Sequence, residues 1–425
     1  MPENLVNKLP TLYYHDNLDI NLDYNKAFFE GFRETYAECI PQLTNHVYAE
    51  TNYQHTCETD TTNERGIMIR PTILFWLLNK YPHVTKKIEQ LIPPDEDNVL
   101  MLNWLSLFNL SESDLELVFS LYKGHVFIDD TFEVHPTRTY VMEKYLKYLG
   151  YNLDNVTFWT NCPTPNNKFE DTILRHNWLH LQEYGRMLDN TTRFKIPYFN
   201  EEQLLDYNNK KFKVLSLNGH STHTREYIIS ECITAGLANK ENTSNELRYS
   251  MVDAWDQLPS NNWFEFENRN EWIPKMLPED AKEQWIRDRS SNPQWWYESF
   301  FNLNIETNLN WITPNVRLIT EKWMKGILYF TPSFNIGEYP GLEEYQKNLG
   351  FNIYENHIDR EYDTIDNFPT RCKKLVSTIK DTPIPDKKQW KMMNRIAKQN
   401  YDYFHNSYIP ELERTFINKL LQKTA

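Results

Sequence analysis

Glycine is scarce in this sequence, with only 11 residues among 425. No two glycines are separated by a single residue, so the chain has no G-x-G-x-x-G fingerprint for a dinucleotide. A Walker A loop and the G-x-S-x-G turn of serine hydrolases are also missing. Any phosphate site must therefore be built from side chains and helix ends rather than from a glycine-rich loop.

Cysteine is rare too, and its five residues lie far apart without a C-x-x-C pair. This pattern is typical of free thiols in a reducing compartment and argues against a disulfide framework or a zinc knuckle. Long apolar runs are missing: residues 73–78 are too few to span a bilayer, and residues 1–17 have no apolar signal-peptide core. We therefore expect a soluble, cytoplasmic protein with no membrane partner.

Positive charge is in deficit, because 45 Lys and Arg face 59 Asp and Glu and leave a net charge of -14. This balance argues against a protein that coats nucleic acid, although it leaves room for a local basic patch. Aromatic residues are abundant at 15%, which indicates a folded chain, since disordered chains are poor in them. The length exceeds what one core usually supports and predicts two domains.

Apolar patterns divide the chain into three predicted parts. Residues 1–205 form an N-terminal domain that is helical to about residue 125 and then alternates strands with helices. Residues 206–385 form a second alternating domain, interrupted by an irregular Trp-rich segment at 255–297. Its predicted strands are 212–217, 300–305, 330–334 and 351–354, and its predicted helices are 225–236, 321–329 and 342–349. The alternation predicts an α/β fold with a cleft between two domains.

Residues 386–425 differ from both domains. Apolar residues recur every three or four positions, which predicts a long amphipathic helix bent near Pro410. Eight Lys and Arg against four Asp and Glu give this segment a charge of +4. Pairing with a second copy of the chain is one use for such a helix, and the sequence leaves the oligomeric state open.

The clearest candidate for chemistry is the junction at residues 317–323, where an apolar run meets the start of a helix. Thr320 can cap the first backbone N–H groups, and Glu321 suits the positive end of the helix. With Lys322 added, the helix end forms an anion site, and the carboxylate beside it can accept hydrogen bonds from ribose hydroxyls. Spacing alone favours a simpler interpretation, in which the helix is capped and the Glu and Lys are solvated.

This junction and the segment FFNLNIETN at 300–308 resemble the donor site of α1,3-fucosyltransferase-like enzymes, in the form found in phage and large-virus glycosyltransferases. Pro340-Gly341, the LGF at 349–351, the ID-x-x-YD pattern at 358–363 and Arg371 continue the same order of motifs. Upstream, His223-Thr224-Arg225 opens a helix as the family's phosphate-contacting arginine does. The resemblance covers residues 212 to about 380, less than half of the chain.

The resemblance implies a GT-B-like fold of two Rossmann-like domains, with a C-terminal amphipathic helix that crosses back to the first. The implied activity is inverting, metal-independent transfer of a sugar from a nucleotide-diphosphate sugar, without a cofactor. The implied acceptor is a hydroxyl of a glycan or protein, or of a hydroxymethylated base in phage DNA. The acidic net charge argues against DNA as the acceptor, whereas the basic segment at residues 386–425 leaves DNA as an alternative. A viral enzyme of this kind would act in the host cytoplasm.

Individual roles in the donor site follow from the same resemblance. It implies that Arg225 and Lys322 neutralise the diphosphate and that Glu321 holds the ribose. Four more residues complete the implied site, with Thr307 standing where the family has Asn: His223, Glu306, Thr307 and Thr320.

An inverting transfer also needs a general base for the acceptor hydroxyl. The candidates follow the predicted strand at residues 125–128. We favour Glu133 for its reach, then Asp130, with Asp129 as a further choice.

Other features carry weaker predictions. The D-x-D at residues 95–97 is the metal motif of another glycosyltransferase fold, but a solvated loop is the better interpretation. His176 and His180 have metal-ligand spacing on a helix, yet two packed or surface histidines are more common. Most of the Trp residues between 255 and 296 are expected in the core. The alternative for the whole chain is a non-catalytic sugar- or nucleotide-binding virion or interaction protein that kept the fold.

Overall fold

The computed structural model of the protein describes the following residues: 5, 7–9, 11–15, 26–39, 81–88, 99–103, 107–108, 110–130, 136–160, 200–218, 223–239, 243–251, 293–306, 321–337 and 340–424. The chain divides into two compact units. Residues 1–185 group with residues 410–425, and residues 186–409 form the second unit.

The first unit contains a sheet of five parallel strands in the order β2-β1-β3-β4-β5. The strands are β1 (Leu12–His15), β2 (Thr85–Ile88), β3 (Val99–Asn103), β4 (His125–Asp130) and β5 (Val156–Thr160). The helices are α1 (Lys26–Cys39), α2 (Glu112–Glu116), which continues as a π-helical turn at Leu117–Leu121, and α3 (Pro136–Tyr148). A short 3₁₀ helix, Pro82–Val84, precedes β2.

The core of this unit joins the central strands to the helices. Residues 99–102 of β3 and 126–128 of β4 are buried without alternation, as expected for parallel strands covered on both faces. Phe28 on α1 packs against Tyr145 on α3 with ring centroids 5.1 Å apart. A Cβ atom at Gly31 would lie 2.2 Å from the Tyr145 hydroxyl, so the glycine allows the two helices to approach.

The second unit contains a four-stranded parallel sheet in the order β7-β6-β8-β9. Its strands are β6 (Phe212–Asn218), β7 (Leu247–Met251), β8 (Ser299–Ile305) and β9 (Ser333–Ile336). Its helices are α4 (Glu201–Leu205), α5 (His223–Thr234), α6 (Pro293–Tyr297), α7 (Glu321–Leu328), α8 (Leu342–Asn348), α9 (Phe368–Asp381) and α10 (Lys387–Tyr403). The described part of the unit also contains two 3₁₀ helices, Tyr207–Asn209 and Glu361–Thr364. The chain is therefore a mixed α/β protein with two parallel sheets.

The two faces of the second sheet differ in chemistry. On one face, residues of β6, β8 and β9 join α5 and α9 in an apolar core that includes Ile228, Leu303, Phe334 and Leu375. The other face of β8 and β9 is polar yet buried, with Asn304 and its neighbours enclosed under the helices. Buried polar side chains need hydrogen-bond partners, and an ordinary core face carries apolar side chains instead. The polar face of β8 and β9 is therefore the part of the sheet that packing alone explains least.

The C-terminal segment is helical, as predicted. Helix α10 begins with a capping box from Asp386 and ends in a π-helical turn, Phe404–Tyr408. Helix α11 (Ile409–Thr424) follows, with Pro410 at its second position. Among the residues that the structure describes, no helix combines the length and the apolar character needed to cross a bilayer.

Three local predictions are wrong. The region before residue 125 contains β1, β2 and β3, because strands of four or five residues cannot be told from helix by periodicity. The predicted strand at 330–334 begins instead at Ser333, since Phe330 occupies a left-handed turn with φ 51° and stacks on Tyr401. Residues 351–354 form no strand: the side chain of Asn400 bonds the backbone N–H and carbonyl of Asn352 in place of a neighbouring strand.

Candidate functional site

The carboxyl edge of the second sheet has the topology of a ligand site. Strand β6 pairs with β7 on one side and with β8 on the other, so the chain reverses direction across the sheet between β6 and β8. In open parallel sheets, ligands bind outside the carboxyl ends of the strands at such a reversal. Helices α5 and α7 follow β6 and β8 in the chain and therefore begin at this same edge.

Arg225 lies directly at this reversal point. It is the third residue of α5, and only 1% of its surface is exposed. One terminal nitrogen, Nη2, lies 3.5 Å from the carbonyl oxygen of Ile305, the last residue of β8. A buried guanidinium is costly unless it is hydrogen-bonded or near negative charge. The residue that follows Ile305 is Glu306, so a buried cation and a buried carboxylate flank the same peptide.

Glu306 continues β8 by one residue and is only 2% exposed. Its backbone N–H donates to the carbonyl of Ile336, which extends the ladder to β9. Its carboxylate accepts a hydrogen bond from the amide of Asn304 at 3.1 Å. The carboxylate is thus fixed at the end of the strand and not left to move in solvent.

The polar face of β8 and β9 leads away from Glu306 as a chain of side-chain hydrogen bonds. Asn304 also donates to Asn335 at 3.2 Å, and Asn335 donates to Gln346 of α8 at 3.2 Å. A Cβ atom at Gly326 would lie 2.2 Å from the hydroxyl oxygen of Ser333, so α7 packs closely over this face. Close packing and fixed amides make this a pre-organised polar surface.

A third helix, α8, also begins at this edge, and the chain itself supplies the anion there. The carboxylate of Asp363 accepts hydrogen bonds from the backbone N–H groups of Leu342, Glu343 and Glu344 at 3.0, 2.9 and 3.3 Å. Burial raises the pKa of Asp363, and the backbone donors partly oppose that shift. The start of α8 is therefore occupied by an internal ligand.

A buried ion pair joins α8 to Arg360, which in turn bonds the backbone of β9. Glu343 lies 2.6 Å from Arg360 and accepts a further hydrogen bond from Tyr362 at 2.5 Å. Arg360 also donates to the carbonyls of Ser333 and Ile353, each at 2.9 Å. Burial raises the pKa of Glu343, while Arg360 acts in the opposite direction. This network accounts for the ID-x-x-YD pattern as part of the architecture of the sheet edge.

Arg371 holds the loop after β9. It is 1% exposed and donates to the carbonyl of Gly337 at 3.1 Å and to that of Asp366 at 3.0 Å. Gly337 is the residue that follows β9, and a Cβ atom there would lie 3.0 Å from Leu342. Two fully buried arginines, Arg225 and Arg371, therefore reach the ends of the neighbouring strands β8 and β9.

The predicted site residues are distributed between the two units. Arg225 and Glu306 lie together at the edge of the second sheet. His223 is the first residue of α5, and Glu321 and Lys322 are the first two residues of α7. The other predicted site residues lie either in the first sheet or outside the described residues. Asp129 and Asp130 end β4 of the first sheet, and Glu133, Thr307 and Thr320 lie outside the described residues.

The weaker candidates are mostly outside the described residues as well, among them the D-x-D at 95–97, His176 and His180. Trp296 is described and buried, with its ring 4.5 Å from that of Tyr329, as expected of a core residue. No group of three or more His, Cys, Asp and Glu side chains within the described ranges could hold a metal ion.

Sequence reasoning missed the roles of Arg371, Asp363 and the polar face of β8. The alternation of Asn302, Asn304 and Glu306 was the available signal, because it marks one face of a strand as polar. Comparisons of the chain with protein-family models, with curated proteins and with solved structures found no match. The function must therefore be inferred from the chemistry of this edge.

Proposed function

We propose that the chain is a glycosyltransferase of GT-B type that binds a nucleotide-diphosphate sugar at the carboxyl edge of β6 and β8. The observation that carries the proposal is the burial of Arg225 and Glu306 at the reversal point of a parallel sheet, where Arg225 donates to the carbonyl of the residue before Glu306. Helices α5 and α7 begin at the same edge, and helix starts favour anions such as a diphosphate.

The donor requires stabilisation of negative charge. As the bond between the anomeric carbon and the diphosphate oxygen breaks, its electron pair leaves with the nucleoside diphosphate. Arg225 contributes positive charge at the strand ends, and we assign Lys322, at the second position of α7, to the diphosphate itself. Glu321 accepts hydrogen bonds from the ribose, while His223, Glu306, Thr307 and Thr320 surround the nucleotide. These assignments need no glycine-rich loop, in keeping with a sequence that has none.

The acceptor oxygen attacks the anomeric carbon from the opposite side, which inverts its configuration. A base removes the proton of the acceptor hydroxyl as the new bond forms. We assign this step to one of three acidic residues of the first unit: Glu133, or Asp130 or Asp129, which end β4. Activity that falls at least a hundredfold in only one of the three amide variants, with donor affinity retained, would identify the base.

The proposal is tested by a thermal-shift panel of GDP-, UDP-, ADP- and CMP-sugars. One nucleotide class should stabilise the protein, by roughly 2.7 kcal/mol at a ligand concentration near 100 Kd. A stabilising GDP-, UDP- or ADP-sugar should then release its nucleoside diphosphate in the presence of a hydroxyl acceptor, whereas stabilisation by the CMP-sugar alone would contradict a diphosphate donor. Absence of stabilisation by all four classes would contradict a nucleotide-sugar site. Tight binding without transfer to any acceptor would favour the non-catalytic alternative.

Metal dependence gives a second test of this mechanism. With diphosphate charge neutralised by Arg225, Lys322 and helix ends, transfer should persist in excess EDTA and change less than twofold on addition of Mg²⁺ or Mn²⁺. A complete loss of activity on chelation that added metal restores would contradict the metal-independent mechanism and favour a metal site at the D-x-D of residues 95–97.

A further inference from the structure

The outward face of α10 carries a row of positive charge. This helix contains five Lys or Arg residues and one acidic residue, Asp402. All five cations are exposed and share one side of the helix: Lys387, Lys388, Lys391, Arg395 and Lys398. The opposite side contributes Trp390, Met393 and Ala397 to the core of the second unit. We call these five residues the basic row.

The centre of the basic row is unpaired among the described residues. Lys398 forms an ion pair with Glu201 at 2.6 Å, and Lys387 lies over the ring of Tyr207. In contrast, Lys388, Lys391 and Arg395 have no ion-pair partner within the described part of the chain. These three residues follow one another at three and four positions, so they are spaced by about 4.5 and 6 Å along the helix axis.

The order of charges along α10 is electrostatically unfavourable for the helix itself. The capping Asp386 is the one acidic residue at the start of the helix, and the two residues that follow it are Lys387 and Lys388. The start of a helix is its positive end, where cations are disfavoured and acidic residues are preferred. The chain as a whole has an excess of acidic residues, with a net charge of -14. Lys388, Lys391 and Arg395 also repel one another, because like charges three and four residues apart on a helix are destabilising. An external anion therefore accounts for the basic row better than helix stability does.

We propose that the basic row binds the phosphate backbone of a nucleic acid strand. From Lys387 to Lys398 the row is about 16 Å long. It is therefore long enough for successive cations to contact successive phosphates of one strand. A bilayer surface is a poorer match, because the apolar side of α10 is buried in the protein and membrane-bound helices insert theirs. Contacts of this kind hold the backbone and do not select a sequence.

The test compares two variants of the full-length protein that each lose three positive charges. The row variant is Lys388→Gln, Lys391→Gln and Arg395→Gln. The control variant is Lys123→Gln, Lys147→Gln and Lys347→Gln, three exposed lysines elsewhere in the chain. Fluorescence anisotropy with a labelled 20-nucleotide DNA, single-stranded and duplex, gives the binding constant from 50 to 200 mM NaCl. No sugar donor is present, so the result is independent of the proposed glycosyltransferase activity.

The row variant should bind duplex at least tenfold more weakly than wild type at 100 mM NaCl. The slope of log K against log salt should become shallower by about 2.7, or by about 2 for the single strand, because three phosphate contacts are lost. The control variant should stay within twofold of wild type. The row variant should also melt no lower than wild type, since it breaks no ion pair of the described residues and removes repulsion between like charges three and four residues apart. If it does melt lower, the single Lys391→Gln variant should still reduce the duplex slope by about 0.9.

Three results would overturn the proposal. The first is no binding of wild type to either DNA at 50 mM NaCl. The second is an equal salt slope for wild type and the row variant, because the phosphates would then be bound elsewhere. The third is sedimentation of wild type with vesicles containing 30% phosphatidylserine without binding to DNA, which would make the row a contact for lipid.

Discussion

Replacing Asp363 tests whether the acidic motif that resembles the glycosyltransferase family is structural. In the folded protein this carboxylate caps α8 from 20 residues away, through three backbone N–H groups. Leu342 and Glu343 are 3% and 1% exposed, so water does not readily replace the lost acceptor at their N–H groups. Each buried donor left without a partner costs about 1–3 kcal/mol, which agrees in scale with the upper end of measured helix caps.

We therefore expect Asp363→Ala to lower the free energy of unfolding by about 2–5 kcal/mol. Asp363→Asn keeps one acceptor oxygen and should cost less, about 1–2 kcal/mol. Guanidinium unfolding followed by Trp fluorescence measures both values, provided that the slopes with denaturant stay equal. Asp366→Asn is the control, because this exposed residue has the same chemistry and should change stability by less than about 0.5 kcal/mol.

An Asp363→Ala variant as stable as wild type would refute the capping argument. The same variants also test function. The nucleotide affinity of folded Asp363→Asn should stay within threefold of wild type, because the Asp363 carboxylate bonds the backbone of α8 and not the ligand. A loss of nucleotide affinity without a loss of stability would mean that Asp363 contacts the ligand directly.

Two further predictions concern single residues of the second unit. Burial lowers the pKa of Lys210 to about 7, so between pH 7 and 10 the unfolded chain binds this proton more tightly. In chemical denaturation, the free energy of unfolding of wild type should therefore rise with pH relative to that of Lys210→Met, by at most about 1.4 kcal/mol per pH unit. An equal pH dependence of the two proteins would contradict this prediction. Gly350 and Gly150 both have φ above 90°, but only at Gly350 would a Cβ atom meet Tyr403, at 2.7 Å. In urea denaturation, Gly150→Ala should lower the free energy of unfolding by about 1–2 kcal/mol, and Gly350→Ala should lower it by at least 1 kcal/mol more. Equal losses for the two variants would contradict the clash with Tyr403.

Two strands of the second sheet, β6 and β8, were predictable, whereas β7 was not predicted and β9 was placed three residues too early. Apolar side chains along at least one face of β6 and β8 mark both strands in the sequence, and the predicted ranges 212–217 and 300–305 each differ from the observed bounds by a single residue. The first sheet was harder, because β1 and β2 have four residues each and mix Tyr, Lys and His with few aliphatic side chains. These strands pair with partners that are distant in the sequence, and a local pattern of residues carries no information about such partners.

The candidate site was predictable only where a residue stands next to a recognisable boundary. Arg225 and Glu306 could be proposed because one opens a helix and the other ends a strand. Asp363 and Arg371 act on backbone groups 20 and 34 residues away, and no spacing rule links such partners. Asn400, which takes the place of a neighbouring strand beside Asn352, is separated from it by 48 residues.

Isothermal titration of Lys322→Gln and Lys347→Gln tests the central claim most directly. Both variants lose one lysine charge near a helix end, but Lys322 begins α7 at the carboxyl edge, whereas Lys347 lies in the last turn of α8. With the nucleoside diphosphate that stabilises wild type, Lys322→Gln should weaken binding by roughly ten- to a hundredfold, since a hydrogen bond to a charged group is worth about 1.5–3 kcal/mol. Lys347→Gln should bind as wild type does. Equal affinity of Lys322→Gln and wild type would contradict a diphosphate site at the carboxyl edge of the second sheet.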